Sequence, residues 1–284
     1  MVELGFSLQA KYDCPQTQMI EQLCDVGFSA VSPIWSPDLP LASLAECVRK
    51  HNMTIQSLHA PYKGISQLWN PQNPVAATIQ KNMMDCIDSC ARFQIPIAVV
   101  HSWQGLGYVF PKEPLDFSIF DRIVDYAAQR KVSLAFENLE GEEYLEALMV
   151  RYRGCPQVGF CWDSGHDHCY THKLDFLKEF GQQLIMTHLN DNKGARDPSG
   201  MHNANDDLHF LPYDGNIRWK QTLEKLASLP RQKILDFEFK KRSHSTAAED
   251  LIYDNLSLTE FLCLAGQRAR SIAGIYEQIM ERKL

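Results

Sequence analysis

The segment Ile95-Pro96-Ile97-Ala98-Val99-Val100-His101 decides the fold, because it is a short apolar run that ends in a polar side chain. Seven further runs of similar length and apolar character are spread over the chain. Brief runs rich in Val, Ile, Leu and Phe are typical of strands that are buried on both faces. The eight predicted strands cover residues 2–9, 28–34, 53–59, 95–101, 132–137, 157–162, 183–189 and 233–239.

Longer segments with the period of an α-helix lie between and after these runs. In segment 74–93 the apolar residues recur at spacings of four, four and three, which predicts one buried helix face: Ile79, Met83, Ile87 and Cys90. The eight predicted helices cover residues 15–26, 39–51, 74–93, 116–130, 141–152, 172–181, 216–228 and 267–282. Eight strands that are each followed by a helix indicate an α/β fold, a single (β/α)₈ TIM barrel over residues 1–284.

A doubly wound open sheet is the competing fold. It would place a glycine-rich phosphate loop after the first strand, where this chain has Gln9-Ala10-Lys11-Tyr12. No repeat and no Pro/Gly/Ser-rich linker divides the chain. The longer non-helical stretches 60–73, 102–115 and 190–215 all follow strands, so in a barrel they belong to the functional face.

Composition restricts the class of protein. The 284 residues include 28 Lys and Arg against 35 Asp and Glu, a formal net charge of −7, which disfavours general binding of nucleic acid. The longest apolar run is too short to span a bilayer, and the first residues lack the pattern of a secretory signal. Nine cysteines without a CxxC pair indicate reduced thiols. We therefore expect a soluble cytoplasmic protein with no membrane partner, and homo-oligomers remain an open alternative.

Polar side chains stand at or just after the carboxyl ends of the third to eighth predicted strands. In chain order they are His59, His101, Glu137, Asp163, His188 and Glu238. Each of these residues alone would more often be a satisfied core histidine or a helix cap. Together they meet at one face of a barrel, where buried carboxylates and imidazoles need a compensating partner. A divalent cation binds both, so we predict a Zn²⁺ or Mn²⁺ site.

These residues, in this order, resemble the xylose-isomerase-like TIM-barrel superfamily of sugar isomerases, epimerases and endonuclease IV. The resemblance covers roughly residues 53 to 240, and it rests on the motifs His59-Ala60-Pro61-Tyr62, Glu137-Asn138, Asp163-x-x-His166, His188-Leu189-Asn190-Asp191 and Asp207-x-His209. Sugar epimerases of this kind hold one Mn²⁺ or similar ion, which here implies the ligands Glu137, Asp163, His188 and Glu238. Endonuclease IV holds three zinc ions, which implies the additional ligands His59, His101, His166, Asp207 and His209. One to three ions are therefore implied.

The loops favour a small substrate over DNA. Loops 60–73 and 102–115 contain only Lys63 and Lys112 as cations. Loop 190–215 contains two cationic residues and five Asp residues. The segment after the second strand, which bears an arginine in endonuclease IV, is neutral to acidic here. A DNA-binding face should make several phosphate contacts. We therefore predict a divalent-metal-dependent isomerase or epimerase of a small sugar or sugar phosphate. The alternatives are an abasic-site phosphodiesterase with three zinc ions and a non-catalytic sugar-binding barrel.

The proposed chemistry gives several residues a role. Glu137 and Glu238 are predicted to transfer protons on a metal-stabilised enediolate, and His166 is predicted to orient a substrate hydroxyl. Further predicted substrate contacts are Tyr62, Trp35, Trp69, Trp103, Tyr108, Glu143 and Arg196. Glu143 is equally interpretable as an exposed residue at a helix start. Arg196 is displaced from the position of the arginine that the epimerases carry, where Gly194 stands instead.

Overall fold

A computed structural model describes residues 1–8, 12, 14–170, 173–199 and 201–283 of the chain. In that part, the strands are β1 (Glu3–Leu8), β2 (Ala30–Pro33), β3 (Thr54–Ile55), β4 (Ser57–His59), β5 (Ile97–His101), β6 (Ser133–Glu137), β7 (Val158–Asp163), β8 (Leu184–His188) and β9 (Ile234–Phe237). The α-helices are α1 (Gln16–Asp25), α2 (Leu41–Lys50), α3 (Pro74–Phe93), α4 (Ser118–Arg130), α5 (Glu142–Arg151), α6 (Ser164–Tyr170), α7 (Phe176–Phe180), α8 (Trp219–Leu226) and α9 (Leu258–Glu281). Short 3₁₀ helices cover Ile65–Trp69, Gly181–Gln183, Ala204–Asp206 and Ala248–Asp250.

The strands form a closed parallel barrel. They pair in the orders β3-β2-β1-β9 and β4-β5-β6-β7-β8, and every pair is parallel. β3 and β4 are two segments of the third barrel strand, on either side of Gln56. Parallel bridges from Ile34 to His59 and from Leu189 to Phe237 join the two orders and close the ring. Because the strands follow one another around the ring in chain order, the (β/α)₈ barrel is confirmed and the doubly wound sheet is excluded.

The eight predicted strands all overlap observed ones, but some helices differ from the predictions. The last helix begins at Leu258, nine residues before the predicted start, because Ser257 and Glu260 form a capping box there. Helix α6 was not predicted, since its seven residues are mostly polar and show no apolar period. The helix predicted over 172–181 is observed as Phe176–Phe180, and His172 lies outside the described residues.

The barrel interior has an apolar part and a polar part. Four buried side chains, Val99, Ala135, Cys161 and Met186, form the apolar part. In the second, the fully buried Asp236 accepts hydrogen bonds from Ser7 at 2.9 Å and Ser32 at 2.6 Å. Gly5 makes room for this carboxylate, since a Cβ there would lie 2.7 Å from Asp236 Oδ2. Burial raises the pKa of Asp236 to about 6. Among the described residues, no helix has both the length and the apolar character needed to cross a membrane.

Candidate metal centre

Nine His, Asp and Glu side chains meet at the carboxyl ends of the barrel strands. Five of them end β4 to β8: His59, His101, Glu137, Asp163 and His188. Glu238 directly follows β9, His166 lies on α6, and Asp207 and His209 lie on the loop after β8. Eight of them are buried, and the His101 side chain is 10% exposed. The structure arranges their donor atoms in three groups, and Glu137 belongs to two of them.

Donor group one consists of His59, His101 and Glu137. The Nε2 atoms of the two histidines lie 3.1 Å apart, and each lies 3.2 Å from Glu137 Oε2. His59 Nδ1 lies 2.9 Å from the Ala60 carbonyl oxygen and donates to it, which leaves Nε2 with its lone pair. Two imidazole nitrogens and one carboxylate oxygen therefore face a common point, as zinc ligands do.

Donor group two consists of Glu137, Asp163, His188 and Glu238, whose donor atoms all lie within 4.8 Å of one another. His188 Nδ1 lies 2.8 Å from Glu137 Oε1 and 2.9 Å from Glu238 Oε2. Burial alone would lower the pKa of His188, but the negative charges around it outweigh burial and raise this pKa well above its usual value. Three buried carboxylates around one imidazole form a donor set that a divalent cation fits.

A thiol lies beneath donor group two. Cys161 is fully buried in the barrel interior, and its sulfur lies within 4.8 Å of donor atoms of Glu137 and His188. Burial raises the pKa of Cys161 to about 12, so this residue is a neutral thiol at pH 7. Carboxylates and imidazoles therefore supply the anionic and neutral donors here.

Donor group three consists of His166, Asp207 and His209. Asp207 Oδ2 lies 2.8 Å from His209 Nε2 and 3.5 Å from His166 Nε2. His166 Nδ1 lies 3.0 Å from the backbone carbonyl oxygen of Asn138, and His209 Nδ1 lies 3.0 Å from that of Glu238. Donation to those carbonyls leaves both Nε2 lone pairs directed at the group. Asp207 Oδ1 is buried without a hydrogen-bond partner, which also fits a cation.

Two asparagines hold Asp163 in place. Asn190 Nδ2 donates to Asp163 Oδ2 at 2.9 Å, and the Asn138 amide is paired with the Asp163 backbone through two hydrogen bonds of 2.8 Å. Gly165 permits this arrangement, since a Cβ there would lie 1.9 Å from Asn190 Oδ1. Sequence reasoning gave neither asparagine a role. The sequence feature that could have identified them is their position close to donor residues, in Glu137-Asn138 and in His188-Leu189-Asn190.

Comparison with known proteins identifies the family. Residues 20–260 match the family model of the xylose isomerase-like TIM barrel. The chain belongs to this family. The uncharacterized protein y4fM of Sinorhizobium fredii is 35% identical over 133 residues, which are 44% of this chain and only 39% of that relative. The uncharacterized protein MJ1311 of Methanocaldococcus jannaschii is 23% identical over 221 residues, which are 71% of this chain and 70% of that relative.

Solved structures share the fold over nearly the whole chain. An IolI protein with a bound zinc atom has a TM-score of 0.73 at 17% identity, covering 99% of each chain. An L-ribulose 3-epimerase has a TM-score of 0.70 at 14% identity, covering 100% of this chain and 97% of the other. A D-psicose 3-epimerase of Clostridium cellulolyticum, solved with D-tagatose, has a TM-score of 0.64 at 13% identity, covering 98% and 99%. At sequence identities of 13–17%, these structural similarities show that the chain shares the fold of these proteins.

Of the aromatic residues predicted to contact substrate, Tyr62 is the one placed beside a donor group. Its ring stacks on the His101 imidazole, with 5.0 Å between ring centroids. Trp69 donates to the Ser102 carbonyl, and Trp103 stacks on Tyr144 with 4.1 Å between centroids. Both lie on the loops after β4 and β5 in this xylose isomerase-like barrel.

Trp35 lies elsewhere. Its side chain belongs to the apolar core, with 7% of its surface exposed, and its indole donates to Ser89 on α3 at 2.8 Å. The indole therefore packs toward the helical layer, and the structure does not bring it to the donor groups.

Arg196 is engaged in ion pairs within the loop region. Its Nε lies 2.7 Å from Asp206 and its Nη1 lies 2.6 Å from the fully buried Asp250, which also pairs with Lys193 at 2.7 Å. These contacts join the loop after β8 to the segment after β9. Because Asp206 directly precedes Asp207, the ion pair between Arg196 and Asp206 also holds the part of the loop that carries Asp207 of donor group three. The Arg196 guanidinium is therefore held by Asp206 and Asp250.

Replacing Asp250 with Asn is expected to lower the free energy of unfolding at pH 7 by about 2 kcal/mol, since two cations lose a buried partner while remaining about one-third exposed. Burial raises the pKa of Asp250, but hydrogen bonds from Lys193, Ser245 and Arg196 outweigh it and lower this pKa below its usual value. The contribution is therefore full above the unfolded-state pKa of about 4, and it is lost as pH falls through the folded-state pKa.

Urea unfolding of both proteins between pH 3 and pH 8 measures this difference. Asp254→Asn is the matched control, because Asp254 pairs at 2.8 Å with Arg242, whose side chain is 70% exposed. That variant is expected to lose much less stability than Asp250→Asn, since solvent screens the exposed pair. A difference between wild type and Asp250→Asn that stays constant down to pH 3 would contradict the assignment.

Proposed function

We propose that the chain is a divalent-metal-dependent isomerase or epimerase of a small sugar, with Zn²⁺ or Mn²⁺ as the ion. The observation that carries this proposal is donor group two, in which three buried carboxylates and one imidazole lie within 4.8 Å of one another. The family and the fold shared with a zinc-containing IolI protein and with sugar 3-epimerases support the same class of chemistry.

A divalent ion, when bound, supplies stabilisation of the negative charge that develops on substrate oxygens. Glu137 and Glu238 lie 2.8 and 2.9 Å from His188 Nδ1, Glu137 at the end of β6 and Glu238 directly after β9. One is proposed to remove the proton from the carbon beside the carbonyl, and the other to return a proton to the opposite face or to the neighbouring carbon. His166 orients a substrate hydroxyl.

The protonation states of both glutamates suit this role. Burial alone would raise the pKa of each, but without an ion the surrounding histidines, His188 foremost, outweigh burial and lower both values below the usual range. Glu137 and Glu238 are therefore ionised at neutral pH, as metal ligands must be, and proton removal by either one depends on stabilisation of the developing negative charge on the substrate. Their pairing with His188 also fixes the direction in which each oxygen points.

Phosphodiester cleavage at an abasic site is the second candidate function. The observation in its favour is that donor groups one and three stand beside donor group two, which is enough for three ions. The electrostatics of the loops oppose it, because Lys193 and Arg196 are both neutralised by ion pairs with Asp250 and Asp206. Few cations therefore remain in this loop to contact phosphates.

Proton exchange with deuterated solvent tests the proposal. Protein supplemented with Zn²⁺ or Mn²⁺ is incubated with ketoses, aldoses and inosose-type polyols, each with and without phosphate, and exchange of carbon-bound hydrogen is followed by NMR. We expect exchange with at least one sugar, and its loss after chelation. Cleavage of an abasic duplex without exchange in any sugar would replace the proposal with the second candidate. Absence of bound metal would favour a non-catalytic sugar-binding barrel.

A further inference from the structure

A cavity of about 540 Å³ opens beside donor group three. Its walls come from the segments that follow β5, β6, β7 and β8, so it lies on the same face of the barrel as the donor groups. Its volume lies within the range of roughly 300–1,000 Å³ that is usual for small-molecule sites. The cavity therefore has the size and place of a ligand subsite.

One side chain connects the cavity to the donor groups. The ring of Tyr170 lines the cavity and stacks on the His166 imidazole of donor group three, with 5.7 Å between centroids. Across the ring, His202 lies with its centroid 5.8 Å away and also lines the cavity. The Tyr170 ring is therefore shared by the cavity wall and donor group three, and a ligand in the cavity lies one aromatic ring away from His166.

The lining offers aromatic faces together with carboxylate acceptors. Tyr108, Phe110 and Tyr170 supply the rings, and the Tyr108 hydroxyl donates to Glu143, whose other oxygen lies 2.9 Å from Lys173 Nζ. Aromatic faces pack against C–H groups, while carboxylates accept hydrogen bonds from hydroxyls. A hydroxylated saturated ring presents both kinds of group.

The charge of the lining excludes an anionic ligand. Three carboxylates, Glu140, Glu142 and Glu143, line the cavity against one ammonium group, Lys173, which is already paired with Glu143. Glu140 and Glu142 are held by backbone N–H donors of Gly105, Lys173 and Leu174. The one lysine of the lining is thus paired with Glu143 and not with Glu140 or Glu142, so the lining carries an excess of negative charge that repels a phosphate placed here.

We propose that this cavity binds an uncharged sugar unit, joined to the unit that reaches the donor groups. The substrate is then an unphosphorylated disaccharide or larger saccharide. This inference rests on the proposed sugar chemistry of the donor groups. It assigns Glu143 and Tyr108 to substrate selection at the outer unit, away from the reacting carbon.

Calorimetric titration of the zinc-supplemented protein tests this subsite without requiring turnover. The probes are D-fructose, D-fructose 6-phosphate, and the ketose disaccharides lactulose, maltulose and isomaltulose. We expect at least one disaccharide to bind about tenfold more tightly than D-fructose, and D-fructose 6-phosphate to bind more weakly than D-fructose. Equal binding of all five probes, or tightest binding of the phosphate, would overturn the inference.

Charge reversal in the cavity provides the matched variant. Glu140→Lys is expected to weaken binding of the preferred disaccharide and to strengthen binding of D-fructose 6-phosphate, each by about tenfold. Glu146→Lys makes the same change on the exposed face of α5 and is expected to leave both affinities unchanged. Equal effects of the two variants would contradict the subsite. Glu140→Gln keeps an acceptor for the Gly105 N–H, so it separates loss of charge from loss of the loop contact.

The two proposals fail in different ways. Selective disaccharide binding without proton exchange in any sugar would refute the reaction and retain the subsite. Proton exchange in D-fructose without preference for any disaccharide would refute the subsite and retain the reaction.

Discussion

Glu137→Gln is expected to remove any metal held by donor groups one and two, leaving at most the ion of donor group three, and to lower turnover by at least about a hundredfold. Glu137 is shared between donor groups one and two, because its Oε2 faces His59 and His101 while its Oε1 faces His188. An amide keeps the shape but loses the negative charge and one acceptor oxygen. Donor group three does not contain Glu137 and is expected to keep its ion.

Elemental analysis of dialysed protein measures this change. His209→Asn affects donor group three alone and is expected to lose a single ion, while Glu146→Gln makes the same chemical change as Glu137→Gln on an exposed helix face and is expected to lose none. Wild-type metal content in Glu137→Gln would show that this carboxylate is not a shared ligand. A wild-type protein with a single ion would restrict the site to donor group two.

Removal of the metal is expected to lower Tm by about 10 °C. An ion that binds only the folded chain at a thousand times its Kd adds about 4 kcal/mol of stability, and a domain of this size shifts by about 2–4 °C per kcal/mol. The structural reason lies in donor group two, where Glu137, Asp163 and Glu238 are buried together and a cation relieves their mutual repulsion.

Thermal unfolding with excess Zn²⁺ and with excess chelator measures the shift. In Asp163→Asn, which removes one carboxylate from donor group two, the difference between the two conditions is expected to shrink by at least half. The exposed variant Glu146→Gln should keep the full difference. The same Tm with and without metal in the wild-type protein would contradict a resident ion.

The sequence predicted the fold and the convergence of donors because both follow from local patterns. Short apolar runs separated by segments of helical period specify strands inside a ring of helices. Once a barrel is assigned, residues at strand ends such as His101 and Glu137 must share one face, whatever the details of packing. The capping box of Ser257 and Glu260 was equally visible as a local signal, although the prediction placed that helix start nine residues too late.

Other features depended on contacts between residues far apart in the chain. Arg196 was predicted to contact substrate, but its partner Asp250 lies 54 positions away, and no local pattern announces that pair. Trp35 follows a strand like the donor residues do, yet its indole packs on Ser89 of α3. The interior carboxylate Asp236 likewise finds Ser7 and Ser32 only through the closed ring.

By itself the sequence determined the (β/α)₈ barrel, its family resemblance and the set of residues able to bind metal, because strand periodicity and residue type are local properties. The tertiary structure alone decided that Glu137 joins donor groups one and two, and that the Tyr170 ring stands between donor group three and an acidic, aromatic cavity. The physical reason is that each carboxylate oxygen and each ring points where distant side chains and backbone carbonyls hold it. Those partners are set by closure of the barrel, which the order of residues along the chain does not specify.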